Sequence, residues 1–379
     1  MNKLRYNIEQ KLLNIWYNTS SSRCPINKSI NLILSLLSKI YLLVIKIRKI
    51  LYKLNCIKSY KAAIPVIIVG NITVGGTGKT PVVIALVEHL KSQGFKPGII
   101  TRGYRSKTKL PFLLTKYVNY DVSTEITGDE AKLLYNRTLC PVAISPNRTE
   151  SVKLLMANNL CNVVVSDDGL QHYKLNRDIE ICLLDDSRMF GNNKLLPAGP
   201  LRETNKRIDD IDFVLIKNRS FEIQNEGFVC LNNNVIVALE NILPTHSNNK
   251  KTIVHVYAGL GNNQNFFDYL SNVMKPLNID EEFIKHSFED HCNYSVDNFN
   301  ILDANSKGEV RNIIITTEKD AVKIREVLNN SKYLEYIYYL KINADLNKDF
   351  LFNFDFKVSQ LMKQYDIKSI KKLQEVELC

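Results

Sequence analysis

Glycine is in short supply in this chain, with 15 in 379 residues, about half the usual share of roughly 7%. A sequence so sparing with glycine keeps it where the backbone needs a positive φ or a close approach to something else. Eleven of the 15, at positions 70, 75, 76, 78, 103, 128, 169, 191, 199, 259 and 261, fall in or beside a few short stretches, which singles out those loops. Paired cysteines are missing too. The eight cysteines, at 24, 56, 140, 161, 182, 230, 292 and 379, include no C-x-x-C, so spacing reveals neither a zinc site nor a disulfide framework, and a reducing cytoplasmic setting fits. Acids are nearly absent from one region: residues 1–62 hold twelve Lys or Arg against Glu9 alone, whereas the remainder carries 38 residues of each sign. The net charge of +11 is therefore the charge of an N-terminal arm. Nucleic-acid binding wants a basic face on a folded module, so no nucleic-acid partner is expected, and no protein partner is inferred.

An unbroken membrane span is lacking as well. In SINLILSLLSKIYLLVIKIRKILYKL (29–54) the longest apolar run is Ile40–Ile45, far short of the roughly 20 residues a span needs. Its polar residues Asn31, Ser35, Ser38, Lys46, Lys49 and Lys53 recur at helical spacing and draw one narrow stripe beside a wide apolar face. That pattern predicts a helix lying in the interface of an anionic membrane, each nearby basic residue adding about 1 kcal/mol. A helix packed on the domain with its lysines solvated, and a short tilted span with Lys39 snorkelling, are the alternatives. The apolar stretch starts late and has no small-residue cleavage site after it, so a cleaved signal is not expected.

What is present is a glycine-rich loop, TVGGTGKT, comprising Thr73, Val74, Gly75, Gly76, Thr77, Gly78, Lys79 and Thr80. It matches the phosphate-loop pattern G-x-x-x-x-G-K-[ST] except that Thr73 replaces the leading glycine. AIPVIIVG (63–70) before it reads as a buried parallel strand, and PVVIALVEHLKSQG (81–94) after it as a helix opening on Pro81 and closing on Gly94. Strand, loop and helix in this order can wrap a nucleotide's phosphates: loop amides on the oxygens, Lys79 on the β and γ phosphates, and Thr80 on Mg²⁺.

Further strands end in chemistry-bearing residues. KPGIITRGY (96–104) ends at Arg102, Gly103 and Tyr104, and GDEAKLLY (128–135) reads as a helix start with Asp129 as cap and Glu130 in its first turn. CNVVVSDDG (161–169) delivers Asp167 and Asp168, the expected carboxylate partners of a phosphate loop and its Mg²⁺. LQHYKLNRDIEICLLD (170–185) adds His172, which has no metal-ligand spacing to another histidine, so that a structural or substrate-contacting role stands level with a catalytic one. MFGNNKLLPAGPLRE (189–203) ends at Arg202 and Glu203, and DFVLIKN (212–218) reads as the last strand of this half.

With 379 residues, 45% of them hydrophobic, the chain can bury two cores. The alternation of strands and helices predicts an α/β fold, a P-loop NTPase-like, doubly wound, mainly parallel sheet with its site at the strands' C-terminal ends. The expected division is a basic membrane-associating arm over 1–60, a P-loop nucleotide-binding domain over 61–225, and a smaller α/β domain over 226–379 facing it.

In order along the chain, TVGGTGKTP, TRGY, GDE, DDGLQHY, RDIEI, LLPAGPLRE, AGLGN, F-x-D-H and TEKDAVK make this sequence resemble the lipid A 4′-kinase family, tetraacyldisaccharide 4′-kinase. The resemblance implies transfer of the γ-phosphoryl group of ATP to the 4′-hydroxyl of a membrane-embedded tetraacyl glucosamine disaccharide 1-phosphate, giving lipid IVA. It also implies Mg²⁺ and a location at the cytoplasmic face of the inner membrane of a Gram-negative bacterium. In that family the loop likewise lacks its first glycine. The family's catalytic Asp falls on Asp129, paired with His291 of the F-x-D-H motif, with domain closure expected to assemble the dyad. Glu130 and Asp168 would serve Mg²⁺ with Thr80, Lys79 would neutralise phosphate, and Asp167, Arg202 and Glu203 would complete a charged floor. Cys292-Asn293 stand where the family commonly has His and Pro, and Asn263 and Asn265 where Pro and Arg are usual. Arg102 and Arg148 are further basic candidates near the site. The competing reading is a membrane-associated nucleotide switch. It lacks N-K-x-D for guanine, and Val74 stands where ion-partitioning ATPases carry a second lysine.

Overall fold

The computed structural model describes residues 12–13, 15–17, 25–104, 106–107, 110–115, 122–242, 251–274, 283–307 and 310–377. Most of the arm before Pro25 lies outside them. The chain forms two compact units, neither contiguous in sequence. The first comprises residues 1–102, 145–222 and 345–379, and the second 103–144 and 223–344.

In the first unit, α1 (Pro25–Lys53) precedes β1 (Val66–Gly70), α2 (Lys79–Ser92) and β2 (Pro97–Thr101). After residues belonging to the other unit come α4 (Arg148–Ala157), β5 (Val163–Asp167), β6 (Ile179–Leu184) and β7 (Phe213–Ile216), and α7 (Lys348–Glu377) closes the chain. These strands run parallel in the order β2-β5-β1-β6-β7. Continuous apolar runs are what a parallel sheet covered on both faces demands, and Ile67, Ile68, Val164 and Val165 are fully buried. Each such side chain contributes about 1.5–3 kcal/mol by burial. Because β5 inserts between β1 and β2, Val69 pairs with Asp167. The loop after β1 and the carboxylates after β5 thereby leave adjacent strands at the same end. α7 packs through Phe350 and Phe354 on Phe213, with ring centroids 5.3 and 6.2 Å away.

Helix α1 docks the wrong way round for a soluble protein. Its polar stripe faces the unit: Ser38 Oγ donates to the Leu195 carbonyl at 2.9 Å, Tyr41 Oη to the Arg202 carbonyl at 3.1 Å, and Lys49 Nζ pairs with Glu203 at 2.6 Å. Lys46 and Lys53 of the same predicted stripe are exposed. The apolar face looks outward, with Leu32 74%, Leu36 62% and Leu43 58% exposed. Although its longest apolar run is short, Ile30–Lys53 spans 24 residues, holds an 18-residue window with a mean hydropathy of 2.0, and is long and apolar enough to cross a membrane by length and composition.

The second unit contains β3 (Phe112–Leu114) and β4 (Val142–Ile144), which pair antiparallel, with α3 (Asp129–Thr138) between them. It continues with β8 (Phe221–Cys230), β9 (Ile236–Val237), β10 (Lys251–Ala258), α5 (Asn263–Met274), β11 (Phe283–Ser287), β12 (Val310–Thr317), α6 (Glu318–Val327) and β13 (Ile337–Leu346). Its sheet runs β11-β10-β12-β13-β8-β9, parallel from β11 to β13. One core cluster gathers Phe228, Val254, Leu270 and Ile313, another Tyr257, Phe299, Ile314 and Ile337. Helix α3 is tied to α6 by Arg137–Glu318 at 2.7 Å and Lys132–Glu326 at 2.5 Å. Segment 103–144 therefore joins the second unit, and residues 345–379 join the first, unlike the linear division at 60 and 225. Hydrophobic periodicity marks elements but carries no record of which sheet a chain returns to.

Candidate active site

The loop after β1 shows why Thr73 costs it nothing. Thr73 makes a bridge to Leu201, and the Val74 N–H donates to the Pro200 carbonyl at 2.8 Å. The loop's first two residues are thus extended chain fastened to LLPAGPLRE, where glycine has no advantage. Positive φ comes later, at Gly75 (123°) and Gly78 (80°), angles that side-chain-bearing residues rarely adopt. Asn71 Nδ2 braces the turn from beneath by donating to Thr77 Oγ1 at 3.2 Å. Helix α2 begins at Lys79 behind Gly78, with no side chain capping it. Its first amides and its dipole are therefore left for an anion.

Asp168 follows β5 in the left-handed region, with φ 48°. Arg202 Nη1 donates to its two carboxylate oxygens at 2.9 and 3.0 Å, and Lys79 Nζ lies 3.8 Å away. Burial works against this carboxylate, but the charges of Lys79, Arg202 and Arg148 outweigh it and hold Asp168 below the usual carboxylate range. Arg148, 5% exposed, fixes the strand end from behind by donating to the carbonyls of Asp167 and Asp168 at 2.6 and 2.8 Å. Asp167 is buried at the end of β5.

The other residues of the predicted floor have different surroundings. Glu203, 1% exposed, receives the ion pair from Lys49 and hydrogen bonds from Gln171 at 3.2 Å and from Tyr173, with Arg207 at 3.8 Å. It is the buried anchor of α1. His172 Nε2 has no hydrogen-bond partner among the described residues. Burial, then the charges of Arg148 and Arg177, bring the His172 imidazole down to about 4, so it is neutral at pH 7. No three His, Cys, Asp or Glu side chains form a metal cage among the described residues. The oxygen donors Thr80 and Asp168 suit Mg²⁺, which keeps several waters and takes few carboxylates besides phosphate oxygens. Glu130 instead lies in the second unit, its Oε1 3.6 Å from Lys319 Nζ.

In that second unit Asp129 and His291 meet. Gly128, φ 78°, is the N-cap of α3, so Asp129 is the first helical residue and not the cap. The change frees its carboxylate from capping. His291 Nδ1 lies 2.9 and 2.8 Å from Asp129 Oδ1 and Oδ2, and the Glu130 N–H donates to Oδ1 at 3.0 Å. Asp129 is 5% exposed. Burial would raise its pKa, but the His291 hydrogen bond and the charges of Lys319 and Lys323 prevail and hold it below the usual range. Both residues belong to one compact unit, so the dyad exists without domain closure. His291 has φ 58°, a conformation that costs a non-glycine residue and recurs at functional sites.

Two lysines of TEKDAVK complete this cluster, and sequence reasoning assigned them no role. Lys319 Nζ lies 3.0 Å from His291 Nε2 and 3.0 Å from Asp290 Oδ1, and Lys323 Nζ lies 3.7 Å from Asp129 Oδ2. Thr317 caps α6 by accepting from the Asp320 N–H at 3.1 Å, and its hydroxyl donates to Asp320 Oδ2 at 2.7 Å. That cap fixes the helix start, and the i, i+4 spacing sends both lysines off one face. A capped helix with two lysines one turn apart was the available signal.

Residues 30–358 match the family described as tetraacyldisaccharide-1-P 4′-kinase. The chain is 36% identical over 319 residues to the tetraacyldisaccharide 4′-kinase of Histophilus somni, covering 84% of this chain and 90% of that protein. It is 42% identical over 296 residues to the enzyme of Coxiella burnetii, covering 78% and 82%, and 38% identical over 336 residues to that of Ruthia magnifica, covering 87% and 98%. The solved structure of LpxK from Aquifex aeolicus in complex with ATP superposes with a TM-score of 0.68 at 28% identity, over 89% of this chain and 99% of that one. By these matches, and with the loop and motif order described above, this chain belongs to the tetraacyldisaccharide 4′-kinase family.

Proposed function

We propose that this protein transfers the γ-phosphoryl group of ATP to the 4′-hydroxyl of a tetraacyl glucosamine disaccharide 1-phosphate, at the cytoplasmic face of a bacterial inner membrane. The observation that carries the reading is the buried Asp129–His291 pair, 2.8 Å apart, in a chain that also holds an uncapped phosphate loop. Asp129 accepts or orients the proton of the attacking hydroxyl, and His291 aligns that carboxylate. A carboxylate held below its usual range is a weak base. That suffices where the transition state is loose and positioning and charge supply most of the catalysis. Loop amides and Lys79 bind the phosphates. Thr80 and Asp168 would hold Mg²⁺, which supplies charge neutralisation between the β and γ phosphates, and Arg202 keeps Asp168 in place. Glu130, whose Oε1 lies 3.6 Å from Lys319 Nζ, is the further carboxylate candidate for the metal.

The acceptor carries four acyl chains, and α1 suits it. Contacts at Ser38, Tyr41 and Lys49 run along several turns of the helix. A helix docked over that length lies beside its unit, in the interface, with its leucines among acyl chains and its lysines near anionic headgroups.

The test is a transfer assay with γ-labelled ATP, Mg²⁺ and detergent-dispersed tetraacyl disaccharide 1-phosphate. Asp129→Ala should lower kcat by about 10²–10⁴-fold with ATP affinity nearly intact, whereas Lys79→Ala should damage both. Label appearing only as free phosphate, with lipid making no difference, would favour the nucleotide switch and sink the kinase reading.

A further inference from the structure

His291 has two ring nitrogens, and each faces a group that fixes what it can be. On one side Nδ1 sits 2.8–2.9 Å from the Asp129 carboxylate oxygens. An ionised carboxylate only accepts, so this contact requires a proton on Nδ1. On the other side Nε2 lies 3.0 Å from Lys319 Nζ. An ammonium has three donors and no lone pair, so this contact requires Nε2 to be bare. An imidazolium would set two donors against each other at Lys319, and the Nε2–H tautomer would do so while also turning a lone pair toward the carboxylate; Asp290 Oδ1 lies 3.6 Å from Nε2 as well, but it is engaged at 3.0 Å by the nearer Lys319 ammonium. Only the neutral ring with its proton on Nδ1 satisfies both.

We propose that Lys319 is a positioning residue that keeps Nε2 of His291 bare, so that the ring stays neutral, donates to Asp129 through Nδ1 and leaves the remaining lone pairs of the carboxylate for the acceptor hydroxyl. The inference rests on the kinase reading of the dyad and names a further residue for it.

Lys319 is built for this. Asp290 Oδ1 at 3.0 Å, Glu130 Oε1 at 3.6 Å and Asp129 Oδ2 at 3.9 Å surround its ammonium. Burial pulls its pKa down, but those three carboxylates more than offset it and keep the group charged. The Thr317 cap fixes the helix turn from which it projects, and the Tyr104 ring, with its centroid 5.1 Å from that of His291, limits how the imidazole can turn. Lys323 provides an internal control. It faces Asp129 Oδ2 at 3.7 Å, Asp320 Oδ1 at 3.0 Å and the Cys292 carbonyl at 3.2 Å. Its loss removes a charge beside Asp129 without touching Nε2.

Side-chain ¹⁵N NMR of the full-length, detergent-dispersed protein reads the tautomer directly. With six histidines in the chain, His291→Gln assigns the signal by its disappearance. The wild type should show a pyrrole-type Nδ1 and a pyridine-type Nε2. Lys319→Met leaves the Asp129 contact at Nδ1 in place and should let Nε2 take a proton, giving the imidazolium pattern with both nitrogens pyrrole-type, with kcat falling at least about tenfold and KM for ATP little changed. Lys319→Arg should restore the wild-type pattern, and Lys323→Met should leave it unaltered. Unmoved signals from the other histidines show that the fold is intact. Retention of a pyridine-type Nε2 in Lys319→Met overturns the inference, whatever happens to the rate. Failure of the wild type to label lipid overturns the kinase reading and leaves the tautomer measurement standing.

Discussion

At the scale of single residues, burial and charge set protonation states in ways that solution behaviour exposes. His172 is neutral in the folded protein because burial and two arginines bring its pKa from 6.5 to about 4. The unfolded chain therefore binds a proton there that the folded one does not, and the stability contributed is complete above pH 6.5. It is lost as pH falls from 6.5 toward 4. At about 1.4 kcal/mol per pH unit this amounts to up to about 3 kcal/mol, less what solvent reaching the half-buried ring screens. His172→Gln should flatten the dependence of Tm on pH across that window, and an unchanged slope would place the acid sensitivity elsewhere. Gly103 makes a second residue-scale case. It has φ 65°, and a Cβ there would lie 2.3 Å from Ile144 Cγ2. Gly103→Ala should cost about 1–3 kcal/mol through backbone strain and overlap, measurable by urea unfolding.

Among the elements, α1 departs furthest from globular rules. Ser38, Tyr41 and Lys49 are turned to the protein, and Leu32, Leu36 and Leu43 to the surroundings. A soluble helix inverts that arrangement, because apolar area facing water gains nothing. The double substitution Leu36→Ser and Leu43→Ser removes about 1.5 kcal/mol or more of burial per residue. Vesicle partitioning should drop by about 10²-fold, with melting temperature nearly unchanged because neither side chain packs on the unit. Equal partitioning in a flotation assay would assign membrane contact to another surface. The polar stripe was legible from spacing alone, but not the direction it faces, since a stripe on a helix reads the same whichever side the protein lies on. The strand, loop and helix around TVGGTGKT were legible for the opposite reason. Apolar β-branched residues, glycines at positive φ and a helix start are local demands that each residue states for itself.

For the whole molecule, the division into units decides where a perturbation is felt. Phe354 is fully buried and packs with Phe213 in the unit that holds the phosphate loop. Phe354→Ala should cost about 3–5 kcal/mol. The loss should appear in the unfolding transition of that unit, which the single tryptophan, Trp16, reports. If the Trp16 transition does not move, the C-terminal helix stabilises something else. Local sequence determined the strands and helices and the phosphate loop, because those depend on side-chain pattern within a few residues, whereas the Asp129–His291 pair was implied by family resemblance alone. Tertiary structure alone decided that segment 103–144 folds with 223–344, that Asp129 and His291 therefore share one unit, that Glu203 anchors α1, and that Lys319 closes on His291. Contacts between residues some 160 positions apart, such as 129 with 291, arise from how sheets reassemble distant segments, and no periodicity in the chain encodes that.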